Sequence, residues 1–384
     1  MTLVRPAPNS LKLGKPRAEM PPAVCDVCLK SFKQKSHLAK HKQRKRPCVK
    51  DTTLETLVTQ KVQEALQNVI VPNVIVPNVI VPPALPTITK PLLKWVGGKT
   101  QILDAVLSRF PPVIRNYYEP FLGGGSVLLG LLSSKDKIKI TGTVYASDIN
   151  KNLIAFYRNV QGSSDRLLVE LKKLCDEYDG LTGKTVNRSP TTEEEARTSQ
   201  ESYYYYVRRL YNGLVGEAKY GVQGSAMLLF LNKTGFRGVY REGPHGFNVP
   251  FGHYTNPSVY DEAEVRRVSV LLTGVVFRDI SWSSALDSLG PEDFVYLDPP
   301  YAPETTTSFV GYTAGGFGAE DHAALFARLA ALKTGGVPFL MSNADVKLVR
   351  DAFPSPTYTT DGITARRAIN SKNPESMTKE LLVT

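Results

Sequence analysis

Pro72, Pro77 and Pro82 close three consecutive copies of Asn-Val-Ile-Val-Pro, which begin at Asn68, Asn73 and Asn78, and they cut the chain in two. A proline at every fifth position removes backbone donors too often for a helix or a central strand. The run therefore reads as an extended spacer, at roughly 3 Å per residue. Just before it, Leu54, Leu57, Val58, Val62 and Leu66 recur at helical spacing. Residues 51–90 are thus expected to form a short amphipathic helix and a linker. Whatever lies on either side must build its own core.

The two sides also differ in charge. Residues 1–50 hold 13 Lys plus Arg against two acids, Glu19 and Asp26, which matches the net charge of +11 for the whole chain. Residues 51–384 balance to zero. A short, strongly positive segment points to a polyanion partner, most often nucleic acid. No stretch approaches the ~18 apolar residues of a membrane span. The basic N-terminus has no apolar core of a secretory signal. An intracellular protein of the cytoplasm or nucleus is expected, with no membrane partner.

Three of the four cysteines fall within residues 25–48. An odd cluster in an intracellular chain argues for metal rather than disulfides. Cys25 and Cys28 have two residues between them, and twelve more separate Cys28 from His41. Phe32 and Leu38 stand where a small ββα zinc module keeps its apolar core. The fourth ligand is expected within five residues of the first His; Cys48, after six, is the first candidate. His37 competes with His41, but the spacing and the Phe32/Leu38 frame favour His41. The reading is a disordered basic tail over 1–22 and a zinc finger over 23–50, with Cys25, Cys28, His41 and Cys48 on the metal. Its Lys33, Lys35, Lys40, Lys42, Arg44, Lys45 and Arg46 suit phosphate anchoring more than base reading. A protein-binding finger is the alternative.

From about residue 90 strands alternate with helices. A strand-turn-helix unit covers Tyr117–Leu132, a strand Thr143–Ala146, and helical sequence 150–215 with a polar interruption near 177–202. Residues 226–260 mix Gly, Arg and aromatics without a period. Strand signals return at Gly274–Phe277, Phe294–Leu297 and Pro338–Met341, with a helix at Ala319–Leu332 between the last two. This order predicts a mostly parallel, doubly wound sheet.

Two segments carry chemistry. In Glu119-Pro120-Phe121-Leu122-Gly123-Gly124-Gly125-Ser126 the glycines let the backbone turn sharply and approach a bound nucleoside. Asp148 follows Gly123 by 25 residues, at the end of the next strand, where such folds place the acid that binds ribose hydroxyls. The loop has neither the Walker Lys-Ser/Thr nor a clean G-x-G-x-x-G, which disfavours nucleotide triphosphate hydrolysis and NAD. Upstream, Trp95 and Lys99 of KWVGGK are placed to cover a cofactor face and hold a carboxylate. The second segment, Asp298-Pro299-Pro300-Tyr301, follows an apolar strand, and open α/β sheets bind ligands along that edge. An aromatic amine is a poor nucleophile because its lone pair is delocalised. If its hydrogens bond to the Asp298 carboxylate and the Pro299 carbonyl, the nitrogen pyramidalises and aims its lone pair at a sulfonium methyl. Tyr301 then stacks on the base, which has to leave the duplex to arrive there.

From about Pro91 to the end, KWVGGK, EPFLGGGSV, ASDIN, FLNKTGFRGVYR, FNVPFG, LDPPY, SNAD and RRAINSK occur in order. In these stretches the chain resembles the DNA adenine methyltransferase family that includes the GATC-methylating enzymes. The resemblance implies a Rossmann-like, S-adenosylmethionine-dependent methyltransferase fold with a helical and hairpin target-recognition insertion, plus the small zinc finger. The methyltransferase domain would comprise 91–150 and 266–384, and the target-recognition domain 151–265. Trp95, Lys99, Phe121, Gly123 and Gly125 would line the cofactor pocket, with Glu119 near the amino acid end of the cofactor and Asp148 on its ribose. Asp298, which also borders the cofactor, would catalyse with Pro299 and Tyr301. Asn232, Arg237, Arg241 and Pro250 would contact double-stranded DNA, Arg241 on a guanine. Lys233 and Arg237 depart from the pattern of the GATC enzymes, so the target is GATC or a related short site. A monomer or weak dimer is expected. The competing reading is a non-catalytic zinc-finger DNA-binding protein on a degenerate methyltransferase scaffold.

Overall fold

The computed structural model describes residues 23–25, 31–32, 35–43, 91–303, 316–366 and 377–384. The chain divides into two units, residues 1–81 and 82–384. In the first, strands Ala23–Val24 and Ser31–Phe32 pair antiparallel, and a helix, Lys35–Lys42, packs on them. This is the ββα order expected from the cysteine spacing. Cys25 and His41 are buried, while His37, Lys40 and Lys42 face solvent. Cys28, Cys48, the tail, the expected helix at 54–66 and the proline repeats lie outside the described residues.

The second unit is built on a seven-stranded sheet. In chain order its elements are α1 (Leu103–Leu107), β1 (Tyr117–Glu119), α2 (Ser126–Ser133), β2 (Val144–Ser147) and α3 (Lys151–Asp179). Next come α4 (Gln200–Gly213), α5 (Val222–Thr234), α6 (Glu262–Leu271), β3 (Val276–Arg278) and β4 (Phe294–Leu297). The chain closes with α7 (Ala319–Thr334), β5 (Phe339–Ala344), α8 (Lys347–Ala352), β6 (Thr360–Arg366) and β7 (Met377–Val383). The strand order is β6-β7-β5-β4-β1-β2-β3. The five strands from β5 to β3 are parallel, whereas β7 runs antiparallel between β5 and β6.

All of β4 is buried, as befits a central parallel strand covered on both faces. Its side chains alternate: Phe294 and Tyr296 enter one core with Tyr117, Val127 and Phe156, while Val295 and Leu297 enter another with Leu325, Leu329 and Met341. From β1 the chain proceeds outward to β2 and β3, then returns to the other side of β1 as β4. The order thus reverses between β1 and β4, and the carboxyl ends of strands at such a switch point form a natural ligand crevice.

The sheet is mostly parallel, as the sequence predicts, and the β6–β7 hairpin adds two strands beyond that expectation, of which β7 runs antiparallel to its neighbours. The aperiodic stretch 226–260 begins inside a helix, α5, which is buried almost all round. A helix with no wet face has no apolar stripe to detect. The polar stretch near 177–202 begins only after α3 and contains a single capped turn, Glu193–Ala196. Helices α3, α4 and α5 pack together, and a short hairpin, Glu242–Gly243 with Gly246–Phe247, follows them. No helix among the described residues is long and apolar enough to cross a membrane.

Candidate active site

The glycine loop joins β1 to α2. Gly123 and Gly125 have φ of +49° and +69°, in the left-handed region that penalises a Cβ. Trp95 lies directly on this loop: a Cβ at Gly123 or Gly124 would come within 3.0 or 2.9 Å of it. The Tyr157 hydroxyl donates to the Gly124 carbonyl at 2.6 Å from below. Asp148, just past β2, closes the loop by accepting from the Gly123 N–H at 3.1 Å through Oδ2 and from Asn150 N–H at 2.9 Å through Oδ1. Burial raises its pKa above the ordinary aspartate value, against the pull of those N–H bonds. Glu119, at the end of β1, is 2% exposed and accepts from the Tyr117 hydroxyl at 2.7 Å. Loss of water raises its pKa to about 8, with the Tyr117 bond opposing and the Asp298 charge adding. Phe121 is half-buried and meets Phe317 edge-on.

Asp298 leaves the carboxyl end of β4, the neighbour of β1, so it shares one edge with the glycine loop. The ammonium of Lys99 stands 2.7 Å from Asp298 Oδ1. Lys99 is 4% exposed, donates to the Gly97 carbonyl at 2.6 Å, and is fixed by its own N–H on Ser126 Oγ at 3.0 Å. Its Nζ also lies 4.9 Å from the centre of the Tyr301 ring. Lys99, expected to line the cofactor pocket, thus sets its amine on the catalytic-motif carboxylate. Burial raises Asp298 to about 6, with Lys99 pulling the other way. Pro299 is buried, and the Ala302 N–H donates to Asn343 Oδ1 at 2.9 Å, which pins the turn to β5. The Tyr301 hydroxyl donates to Glu380 Oε2 at 2.9 Å.

Residues 95–369 match the family described as D12 class N6 adenine-specific DNA methyltransferase. The chain belongs to that family. It is 37% identical to the type II methyltransferase M.MjaIII of Methanocaldococcus jannaschii over 66% of this chain and 84% of that protein. It is 28% identical to a DNA adenine methylase of Haemophilus influenzae over 76% of this chain and 91% of that one. It is likewise 28% identical to a DNA adenine methylase of Escherichia coli, over 67% and 82%. A solved rRNA methyltransferase, aviRa from Streptomyces viridochromogenes, aligns at 14% identity over 76% of this chain and 88% of that one; its TM-score of 0.30 is too low to bear on fold or function.

The protein is an adenine-specific DNA methyltransferase, and its class implies S-adenosylmethionine as methyl donor. The crevice suits that group: a glycine loop with no Cβ to fill it, an aromatic strap in Trp95, and a carboxylate on each neighbouring strand end.

On the DNA side the methyltransferase departs from expectation at Asn232. This residue, on α5, is 1% exposed. It accepts from the Lys94 N–H at 2.8 Å and donates to the carbonyls of Lys94 at 2.9 Å and Gly238 at 2.8 Å. Its amide is consumed inside the protein, so it clamps the Lys94–Trp95 strap to the Gly238 loop rather than facing DNA. Arg237, Arg241 and Pro250 are exposed. Arg237 is held at φ +58° while its N–H donates to the Tyr254 hydroxyl at 2.7 Å. Arg241 donates from Nε to Asn248 Oδ1 at 2.6 Å across the short hairpin, and the Phe236 N–H donates to the Pro250 carbonyl at 2.8 Å.

Four residues of this methyltransferase were given no role from sequence. Tyr240 stacks on Trp95 with ring centres 5.4 Å apart. Tyr157 supports the glycine loop from α3, Asn343 anchors the Asp298 turn, and Glu380 reaches it from β7. Asn343 and Tyr240 had a local signal, the Ser-Asn-Ala-Asp stretch at the end of β5 and the FLNKTGFRGVYR stretch; Tyr157 and Glu380 had none.

Proposed function

We propose that this methyltransferase acts on an adenine swung out of duplex DNA within a short specific site, GATC or a relative of it. The observation that carries the reading is the placement of Asp298 beside the glycine loop, at the point where strand order reverses. S-adenosylmethionine, when bound, supplies an electrophilic methyl on a sulfonium. Trp95, Phe121, Gly123 and Gly125 form its pocket, Asp148 takes the ribose hydroxyls, and Glu119 lies toward the amino acid end. Asp298 and the Pro299 carbonyl accept hydrogen bonds from the adenine amine, so the nitrogen lone pair is freed from the ring. With a pKa of about 6, Asp298 is ionised at neutral pH, the form that accepts. Lys99 holds that charge in place through one oxygen. Tyr301 stacks on the extruded base.

Residues 151–265 serve as the target-recognition domain. Arg241 reads a guanine by paired donors in the major groove, and Arg237 and Pro250 flank it. The N-terminal module is a zinc finger with Cys25, Cys28, His41 and Cys48 as ligands. Burial of Cys25 and His41 on a ββα frame supports it, since such a module has too small a core to fold without metal. Lys40 and Lys42 on its exposed helix face anchor phosphates. Sequencing of adenine methylation in plasmid DNA treated with the pure protein tests the whole reading. N6-methyladenine is expected in one short motif and in none after Asp298→Ala, with cofactor binding retained. Methylation by Asp298→Ala removes the assigned chemistry.

A further inference from the structure

The Asp298–Tyr301 turn is fixed at its backbone by two prolines and by the Asn343 bond to Ala302. What those restraints leave free is the direction of the Tyr301 ring. Glu380 addresses that freedom. It stands on β7, opposite Ala344 of β5 and Ile363 of β6, and its hydrogen bond reaches across to the Tyr301 hydroxyl at 2.9 Å. The site is an awkward one for a carboxylate. Glu380 is half-buried and its charge faces Asp298, which costs energy unless something is gained. A neutral side chain would keep the strand pairing, which uses backbone alone. A charged acceptor grips a hydroxyl donor more firmly than a neutral one does. With Lys99 against one side of the ring and Glu380 at its tip, the ring has one orientation left.

We propose that Glu380 is a positioning residue for methyl transfer, acting through Tyr301 to hold the ring as the platform on which the target adenine stacks. The proposal rests on the reading of Asp298–Tyr301 as the base pocket. Its effect falls on the rate of the bound complex rather than on cofactor affinity.

The test is a kinetic cycle on the full-length protein, with plasmid DNA and labelled S-adenosylmethionine. Glu380→Ala is expected to lower kcat about tenfold, the loss of one charge-assisted hydrogen bond. Cofactor affinity by calorimetry should stay within about twofold. Glu380→Gln, which keeps an acceptor, should recover kcat to within about threefold. It should also move the acid limb of the pH profile lower, because a negative charge facing Asp298 is gone; Lys99, Glu119, Tyr296 and Tyr301 face that carboxylate unchanged. Tyr301→Phe removes the same bond from its other end, together with the pull of that hydroxyl on Asp298, and the double variant should lose no more than Tyr301→Phe alone. Losses that multiply in the double variant overturn the proposal, as does full kcat in Tyr301→Phe. If Glu380→Ala does not fold, Tyr301→Phe and Glu380→Gln decide by the same criteria. An inactive Asp298→Ala beside a fully active Tyr301→Phe would reject the role of Glu380 alone; an active Asp298→Ala would reject the pocket itself.

Discussion

Asn232→Ala separates an inward clamp from an outward DNA contact. The side chain is 1% exposed and makes three hydrogen bonds, one from the Lys94 N–H and two to the carbonyls of Lys94 and Gly238. Truncation leaves those backbone groups facing a dry gap. At about 1 kcal/mol for each bond, the expected loss of stability is about 3 kcal/mol. For a domain of this size, with a urea dependence of about 3 kcal/mol per molar, the midpoint should fall by about 1 M. Lys94 precedes Trp95, which lies on the glycine loop, so cofactor affinity should fall as well. Asn232→Asp should be worse than alanine at neutral pH, because its charge would face two carbonyl oxygens. The native pKa of that aspartate would be raised above its unfolded value. Its penalty would therefore be absent below the unfolded pKa and grow as pH rises toward the native one. Urea melts from pH 4 to 8 with cofactor titration would show this pattern. An unchanged urea midpoint together with weakened DNA binding alone would refute the argument, and the side chain would belong to the DNA surface after all.

Gly124→Ala should weaken cofactor binding about tenfold with little change in DNA affinity, since its Cβ would sit 2.9 Å from Trp95 Cβ; equal cofactor affinity by calorimetry would exclude Trp95 from the pocket. Because burial holds Asp298 at about 6 against the pull of Lys99, the methylation rate should fall as pH drops through 6. Lys99→Met should move that limb upward, and a limb that stays in place would dissociate Asp298 from the rate. Removal of residues 1–81 should leave methylation by the second unit intact but weaken DNA binding and flatten its salt dependence; an unchanged slope in a titration across salt concentrations would exclude the basic module as an anchor.

Contiguous patterns carried most of the site. The glycine loop, Asp148 and the Asp298–Tyr301 turn each act through a strand end and the turn that follows, so their chemistry is written in neighbouring residues. The ββα order around Cys25 and His41 was legible for the same reason. The packed molecule had to decide the rest. Lys99 could serve a cofactor or a carboxylate, and only the proximity of β4 to the Lys99 strap selected Asp298. Asn232 could face either way on a helix whose apolar period is erased by burial on all sides. Glu380 and Tyr240 meet their partners across 79 and 145 residues, and no local spacing encodes such a meeting. Hydrogen bonds and ring contacts of that kind exist once the sheet brings distant strands to a common edge, so they belong to the pairing of the whole chain rather than to any segment of it.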